Sequence, residues 1–357
     1  MPNFNIIKEV KPNKSFRVAS VMGKFDLQNE HIKETFEGEI DLTNEWQVGC
    51  IVGASGTGKT TIAKELFPDA YMFDYKYKSE SILDDFPQNL SVDEITKMFN
   101  AVGFSSPPSW LKPYSVLSNG EKMRVDLARA ILTSKDLIVF DEFTSVVDRN
   151  VAKIGSAAVS KSIKRTKKKF IAVSCHYDII EWLEPDWIYD TNEMRFKYVR
   201  GQLRRPEIEL KIYERKGMWE LFRKYHYLNT EINNSSRQFI GYINNVPIAF
   251  ASVLPFPHSK KKNYYREHRT VVLPDYQGLG IGNKLSDYVA NLYVQNKKGF
   301  ISTTSAPSMI IARNKNKNWV CTRFGRVSSG SGKIQNKNDK SSTSCKRITT
   351  SWEYVCN

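Results

Sequence analysis

Gly53-Ala54-Ser55-Gly56-Thr57-Gly58-Lys59-Thr60 decides the reading of the first half of this chain, together with the apolar run Trp46–Val52 before it and Thr61-Ile62-Ala63-Lys64-Glu65-Leu66 after it. The octet fits G-x-x-x-x-G-K-[ST], a glycine-rich turn whose backbone N–H groups cradle phosphates. Strand, glycine turn and helix is the context such a loop needs, because the helix N-terminus adds its dipole to the anion site. Residues 53–61 are therefore expected to wrap a phosphate chain. Lys59 brings a point charge to the β- and γ-phosphates, and Thr60 brings a hydroxyl to Mg²⁺.

Three further motifs follow in order. Leu117-Ser118-Asn119-Gly120-Glu121 runs into a helix-like stretch, Lys122–Ala130. Asp136-Leu137-Ile138-Val139-Phe140 is an apolar strand ending in Asp141-Glu142, with Ser145-Val146-Val147-Asp148 close behind. Phe170–Cys175 is another buried-strand pattern, with His176 at its C-terminal end. This set resembles the ATP-binding-cassette (ABC) ATPases over roughly the first half of the chain. The resemblance implies Walker A at 53–60, a signature loop at 117–121 with Ser118 and Gly120 on a γ-phosphate, and Walker B at Asp141-Glu142. It also implies a D-loop at 145–148 and a switch histidine at His176. Gln88, after Phe86-Pro87, is the candidate Q-loop glutamine. Asp141 and Gln88 would share the Mg²⁺ with Thr60, Glu142 would be the base for attacking water, and His176 would contact the γ-phosphate.

The signature departs from the family's usual Leu-Ser-Gly-Gly-Gln at Asn119 and Glu121, and the negative Glu121 is expected to slow hydrolysis. Ser118 lies only 59 positions beyond Lys59, short against transporter cassettes, so a trimmed helical subdomain and a cassette without membrane partners are expected. One chain holds one signature loop. Two composite ATP sites therefore require an ATP-dependent head-to-tail homodimer.

At 357 residues, with 41% apolar and 25% charged residues, the chain is long enough for two globular domains. No stretch approaches eighteen consecutive apolar residues, so no membrane span is expected. Met1–Asn5 lacks a basic segment leading into an apolar one, so no signal peptide is expected either. Five scattered cysteines (50, 175, 321, 345 and 356) without a C-x-x-C favour a reduced, cytoplasmic setting. The charge is uneven. Residues 1–200 hold 27 Lys/Arg against 28 Asp/Glu, whereas residues 201–357 hold 26 against 10, a net of +16. That asymmetry points to a polyanionic partner for the second half, with nucleic acid foremost.

Along the chain, residues 15–45 read as edge strands, from the alternation of Phe16, Val18 and Ser20 and then Ile40 and Leu42; Phe25 or Phe36 could stack on adenine. Lys161–Lys169 reads as a solvated helix end. Gly201–Pro206 opens a linker, and Trp219, Leu221, Phe222 and Tyr225 suit one helix face. Gln238–Ile243, Asn244-Asn245 and Val246–Val253 read as a β-hairpin. Residues 325–344 read as a long loop before a last strand at 348–355.

A second glycine turn follows. Arg269–Leu273 is a strand, Pro274-Asp275-Tyr276-Gln277-Gly278-Leu279-Gly280-Ile281-Gly282 a turn, and Leu285, Tyr288, Val289 and Leu292 continue a helix at three- and four-residue spacing. These residues resemble motif A of the GNAT superfamily of acyl-CoA transferases. The resemblance implies that the amides around Gln277, Gly278, Gly280 and Gly282 bind the pyrophosphate of acetyl-CoA. Glu267 and His268 are the candidate bases. Ser305 or Ser308 could reach the leaving sulfur, the family's usual tyrosine acid being absent after that strand.

The expected architecture is α/β: a P-loop ABC ATPase domain at 1–200, a linker at 201–212 and an α+β GNAT-like acyl-CoA transferase domain at 213–357. Such a pairing is similar to fusion proteins of phages, bacteria and archaea. The expected cofactors are ATP, Mg²⁺ and acetyl-CoA, and the expected acceptor is a base amine of nucleic acid. A protein lysine or a small amine is the alternative acceptor. A non-enzymatic, ATP-gated nucleic-acid clamp with a degenerate transferase domain is the alternative from another class.

Overall fold

The computed structural model describes residues 3–10, 15–25, 32–71, 75–134, 136–226, 231–259, 261–326 and 348–356. In chain order the elements are β1 (Asn3–Val10), α1 (Phe16–Lys24), β2 (Ile32–Glu39), β3 (Val48–Val52), α2 (Lys59–Leu66), α3 (Val92–Ala101), α4 (Pro107–Trp110), α5 (Asn119–Thr133), β4 (Leu137–Phe140) and α6 (Arg149–Ile163). Then come β5 (Lys169–Ser174), α7 (Ile180–Leu183), β6 (Trp187–Asp190), β7 (Arg195–Tyr198), β8 (Lys211–Glu214), α8 (Trp219–Phe222), β9 (Arg237–Ile243), β10 (Val246–Pro255) and β11 (Tyr264–Val272). The last are α9 (Ile281–Gln295), β12 (Gly299–Thr304), α10 (Pro307–Lys315), β13 (Trp319–Arg326) and β14 (Ile348–Tyr354). The chain divides into two compact units, one of Met1–Lys76 with Asp126–Pro206, the other of Tyr77–Val125 with Glu207–Asn357.

The first unit is built on a five-stranded sheet ordered β4-β5-β3-β6-β7, parallel except for β7. All five residues of β3 are buried, which is why it reads as a continuous apolar run: a central parallel strand is covered on both faces. Gly49 is required there, since a Cβ would run into the Trp187 ring of β6. The β1–β2 ribbon contributes Phe4, Ile6 and Phe36 to the same core as Ile51, Ile62 and Val173. Residues 15–45 differ from the expected edge strands. Phe16–Lys24 is a helix, because Ser15 Oγ accepts the Val18 peptide at 3.3 Å and caps it. None of its residues is buried, so the alternation of Phe16, Val18 and Ser20 serves no sheet face. Among the described residues of that stretch only 32–39 is strand, and Ile40 and Leu42 follow it.

The second unit holds a seven-stranded sheet ordered β13-β14-β12-β11-β10-β9-β8. The expected hairpin is present as β9–β10, with Asn244 and Asn245 both at positive φ (49° and 63°), as a two-residue turn of matching twist requires. β11 and β12 are parallel and pair only over Tyr264–Arg266 with Gly299–Ile301. α9 packs Ile281, Leu285, Val289 and Tyr293 onto this sheet, while α8 places Trp219 and Phe222 with Phe250 and Val271. Leu221, expected on that helix face, is 40% exposed. In the same unit, α3 starts at a capping box between Ser91 and Glu94, and Phe86, Phe104 and Trp110 gather around Phe99. The loop expected at 325–344 lies outside the described residues from 327 onward, as do Lys260 and Cys345.

Candidate functional site

In the first unit the C-terminal ends of four strands converge. The glycine loop leaves β3, Asp141 and Glu142 follow β4, His176 follows β5, and Thr191 and Asn192 follow β6. An open parallel sheet builds its ligand site at this edge. Gly58 caps α2 in the left-handed conformation (φ 87°), and at Gly56 (φ 84°) a Cβ would meet nothing within 4 Å, so the loop faces open space. Lys59, 8% exposed, donates its ammonium to the Ala54 carbonyl at 2.6 Å across the loop. Thr60 Oγ1 donates to Asp141 Oδ2 at 2.8 Å, which brings the two expected metal ligands to one point. Among the described residues no group of three His, Cys, Asp or Glu could hold a metal by itself, so a cation here would take its remaining ligands from phosphate and water. Glu142 stands at φ 49°, and its peptide donates to Asp141 Oδ1 at 2.8 Å. The D-loop stretch is held by Ser145 N on the Glu142 carbonyl at 3.0 Å, and its Asp148 caps α6.

The other expected nucleotide residues, Gln88, Ser118 and Gly120, belong to the second unit. Gln88 is exposed on a turn. Ser118 and Asn119 are exposed at the start of α5, and Gly120 is buried. Glu121, 8% exposed, accepts the Ser118 peptide at 3.0 Å and the Ser109 hydroxyl at 2.8 Å. Its carboxylate thus faces inward and satisfies a free N–H at the helix start.

In the second unit, Gly280 caps α9 at φ 82° with nothing within 4 Å of a Cβ, and Gly278 stands at φ 93°. Gly282 has Val272 Cγ2 at 3.2 Å from its Cβ position, so it permits close packing of α9 on β11. Gln277 is committed to the protein: Nε2 donates to the Val272 carbonyl at 2.9 Å and Oε1 accepts the Ser105 peptide at 2.7 Å. Register between β10 and β11 shifts so that Ser252 faces Arg269 and Val253 faces Glu267, leaving His268 on a bulge. Burial, with the charges of Arg269 and Arg266, lowers the His268 imidazole to about 4, and its Nε2 has no hydrogen-bond partner among the described residues. Glu267, its side chain 7% exposed, accepts from Arg313 (2.8 Å), Ser302 (2.5 Å) and Thr270 (2.7 Å). Burial raises its carboxyl, yet Arg313 and the hydroxyls outweigh that and hold it below the ordinary range. Both its oxygens are therefore engaged: Oε2 ties β11 to β12 and α10, and Oε1 accepts from Thr270 within β11. Ser305 is half-buried and Ser308 is exposed at the start of α10.

Residues 177–310 match the model of the Acetyltransferase (GNAT) family. The N-terminal part is similar to ATP-binding cassettes. It is 32% identical over 105 residues to a probable ATP-binding cassette sub-family F member 3 homolog of Encephalitozoon cuniculi, covering 28% of this chain and 19% of that protein. It is 24% identical over 230 residues to an energy-coupling factor transporter ATP-binding protein, EcfA, of Malacoplasma penetrans, covering 51% of this chain and 74% of that protein. The chain thus carries a region similar to ABC ATPase cassettes and a region that matches the GNAT family model.

A solved dimeric ATP-binding cassette in a post-hydrolysis state, bound to ADP and Pi, aligns at 15% identity over 56% of this chain and 98% of its own, with a TM-score of 0.40. The GNAT match begins at Tyr177, inside the cassette unit, where β6 pairs with β3. Several residues at the cassette site escaped the sequence reading. Tyr71 donates its hydroxyl to Asp141 Oδ2, and burial with that carboxylate pushes the phenol up. Thr191 Oγ1 lies 2.5 Å from Thr57 Oγ1, and Asn192 Oδ1 accepts the Ala54 peptide at 3.0 Å. Isolated polar residues after a strand carry no motif, so only the sheet order finds them. Of the two adenine candidates, Phe36 is buried against Gly58, whereas Phe25 is 66% exposed.

Proposed function

We propose that the cassette binds Mg-ATP on residues 53–61, with Thr60, Asp141 and Gln88 at the metal and Glu142 and His176 at the γ-phosphate. On this reading two copies close head to tail, each signature loop meeting the other's nucleotide, and hydrolysis releases them. The GNAT domain transfers an acyl group from acetyl-CoA to an amine, with the cofactor's pyrophosphate on the 277–282 turn. The observation that carries this reading is a repeated device. Gly58 and Gly280 each end a glycine turn in the left-handed conformation and cap a helix, at φ 87° and 82°. Two anion-binding helix starts in one chain fit two phosphate-bearing cofactors. Of the two candidate bases, His268 keeps a buried Nε2 with no partner among the described residues, whereas the carboxylate of Glu267 is already engaged.

The acceptor is read as a nucleic-acid base amine in the cytoplasm, supported by the +16 of residues 201–357. The arrangement within that surface differs from a base-stacking platform. Lys261 is paired with Glu353 at 2.5 Å, Tyr264 donates to the same carboxylate at 2.6 Å, and Tyr265 packs on Tyr293. Lys262 and Arg266 remain exposed for phosphate. A clamp without transfer is the second reading, favoured by the engagement of Glu267. Labelled acetyl-CoA incubated with the full chain and DNA, RNA, protein or polyamine separates these readings. Acyl label on nucleic acid, with binding that falls by about 0.9 log unit per log of salt for each phosphate contacted on duplex DNA, supports the proposal. Label only on protein or polyamine replaces the acceptor, and acetyl-CoA that neither binds nor turns over removes the transferase.

A further inference from the structure

We propose that Arg124 is a positioning residue for the acyl-CoA turn and ties that turn to the signature loop, so that ATP-driven pairing of two chains tightens acetyl-CoA binding. The inference rests on the cassette dimer and acetyl-CoA site proposed above. Arg124 follows the signature loop by one helical turn on α5, and its side chain is 1% exposed. Nη2 donates to the Asp275 carbonyl at 3.0 Å, and Nη1 lies 3.6 Å from the Asp275 carboxylate. Nη1 also donates to the Gly120 carbonyl at 3.4 Å. One guanidinium therefore bridges the signature glycine and the residue two positions before Gln277. A planar fork with several fixed donors can hold two carbonyls in set directions, which an ammonium cannot.

A second strut runs beside the first. Ser105 N donates to Gln277 Oε1 at 2.7 Å, and Gly103, at φ 86°, lies so close that a Cβ would sit 2.8 Å from the Gln277 carbonyl. Ser109 links this segment to Glu121 of the signature loop. The lead of the acyl-CoA turn is thus fastened at Asp275 and Gln277 to a segment that belongs, by sequence, to the cassette. Closure of the signature loop on a second chain's nucleotide would fix Gly120, and through Arg124 would order the turn before acetyl-CoA arrives. A ligand that binds an already ordered site bears less of the ordering cost, which is positive coupling.

The test uses the full-length chain carrying Glu142→Gln, in which ATP is bound without being hydrolysed. Acetyl-CoA affinity is measured by calorimetry with and without saturating Mg-ATP, and dimerisation by sedimentation. The expected result is at least about fivefold tighter acetyl-CoA binding with ATP, and dimer affinity raised by acetyl-CoA by the square of that factor, about 25-fold, since coupling is reciprocal and each dimer holds two turns. Adding Arg124→Lys should bring the ratio close to one while acetyl-CoA and ATP each still bind; a purely structural arginine would leave the ratio unchanged. Gly103→Ala, which pushes on the Gln277 carbonyl, should lower the ratio too and replaces Arg124→Lys if that variant does not fold. A parent that dimerises with ATP and binds acetyl-CoA with no change in affinity overturns the coupling and leaves the two activities standing. A parent that does not bind acetyl-CoA overturns both.

Discussion

Glu121 and Ser118 cap each other: Glu121 Oε2 accepts the Ser118 peptide at 3.0 Å, and Ser118 Oγ accepts the Glu121 peptide at 3.3 Å. This reciprocal pair is a capping box at the start of α5, placed where an ABC signature usually carries glutamine. From the sequence alone this negative charge is expected to slow hydrolysis. The structure points it inward, to Ser118 and Ser109.

Glu121→Gln should therefore change the ATPase rate by less than about fivefold, the equivalent of roughly 1 kcal/mol or less. Glu121→Ala should lower thermal stability by about 1 kcal/mol through the lost cap. Steady-state hydrolysis and melting curves check the pair. A large rate gain in Glu121→Gln would show that the charge does reach the nucleotide.

Lys59→Ala removes a charge-assisted contact to phosphate and should weaken ATP binding by roughly 10- to 100-fold. Glu142→Gln should keep ATP affinity and accumulate the dimer. Size-exclusion chromatography in Mg-ATP reads the difference. A Glu142→Gln protein that stays monomeric at saturating ATP counts against head-to-tail closure.

Gly280→Val adds a branched side chain at φ 82°, on the open outer side of the turn. It should abolish acetyl-CoA binding in calorimetry and leave ATP binding intact. The left-handed backbone should cost about 1–2 kcal/mol of stability, seen as a lower melting temperature of the same cooperative transition. Retained acetyl-CoA affinity would place the cofactor elsewhere.

His268 is neutral in the folded chain down to about pH 4, whereas the unfolded chain protonates it near 6.5. Between those values the unfolded state binds a proton that the folded state refuses, so stability falls as the pH drops through that window. His268→Gln should flatten the decline in melting temperature between pH 6.5 and 4 and slow acyl transfer. An unchanged pH profile would mean that the bulge admits water and leaves the imidazole ordinary.

Much of the cassette site is legible in the chain itself, because its parts are contiguous. A glycine at Gly58 supplies the left-handed cap of α2, and Asp141-Glu142 stand where an apolar run stops. The glycine turn before α9 is legible for the same reason. The assignment of Phe16–Lys24 is not, since the alternation of Phe16, Val18 and Ser20 fits a strand as well as an exposed helix. The cap by Ser15 and the lack of any buried residue along the helix decide it.

By itself, the sequence determined the two loop–helix units, the hairpin turn at Asn244-Asn245 and the charge asymmetry. Each depends on backbone conformations or counts that neighbouring residues impose. The tertiary structure alone decided which side chains are already engaged. Glu267 is tied to Arg313, Gln277 to Ser105, Tyr71 to Asp141 and Arg124 to Asp275. Those partners lie tens to more than a hundred positions apart, and no local propensity encodes a contact that sheet order and burial bring about.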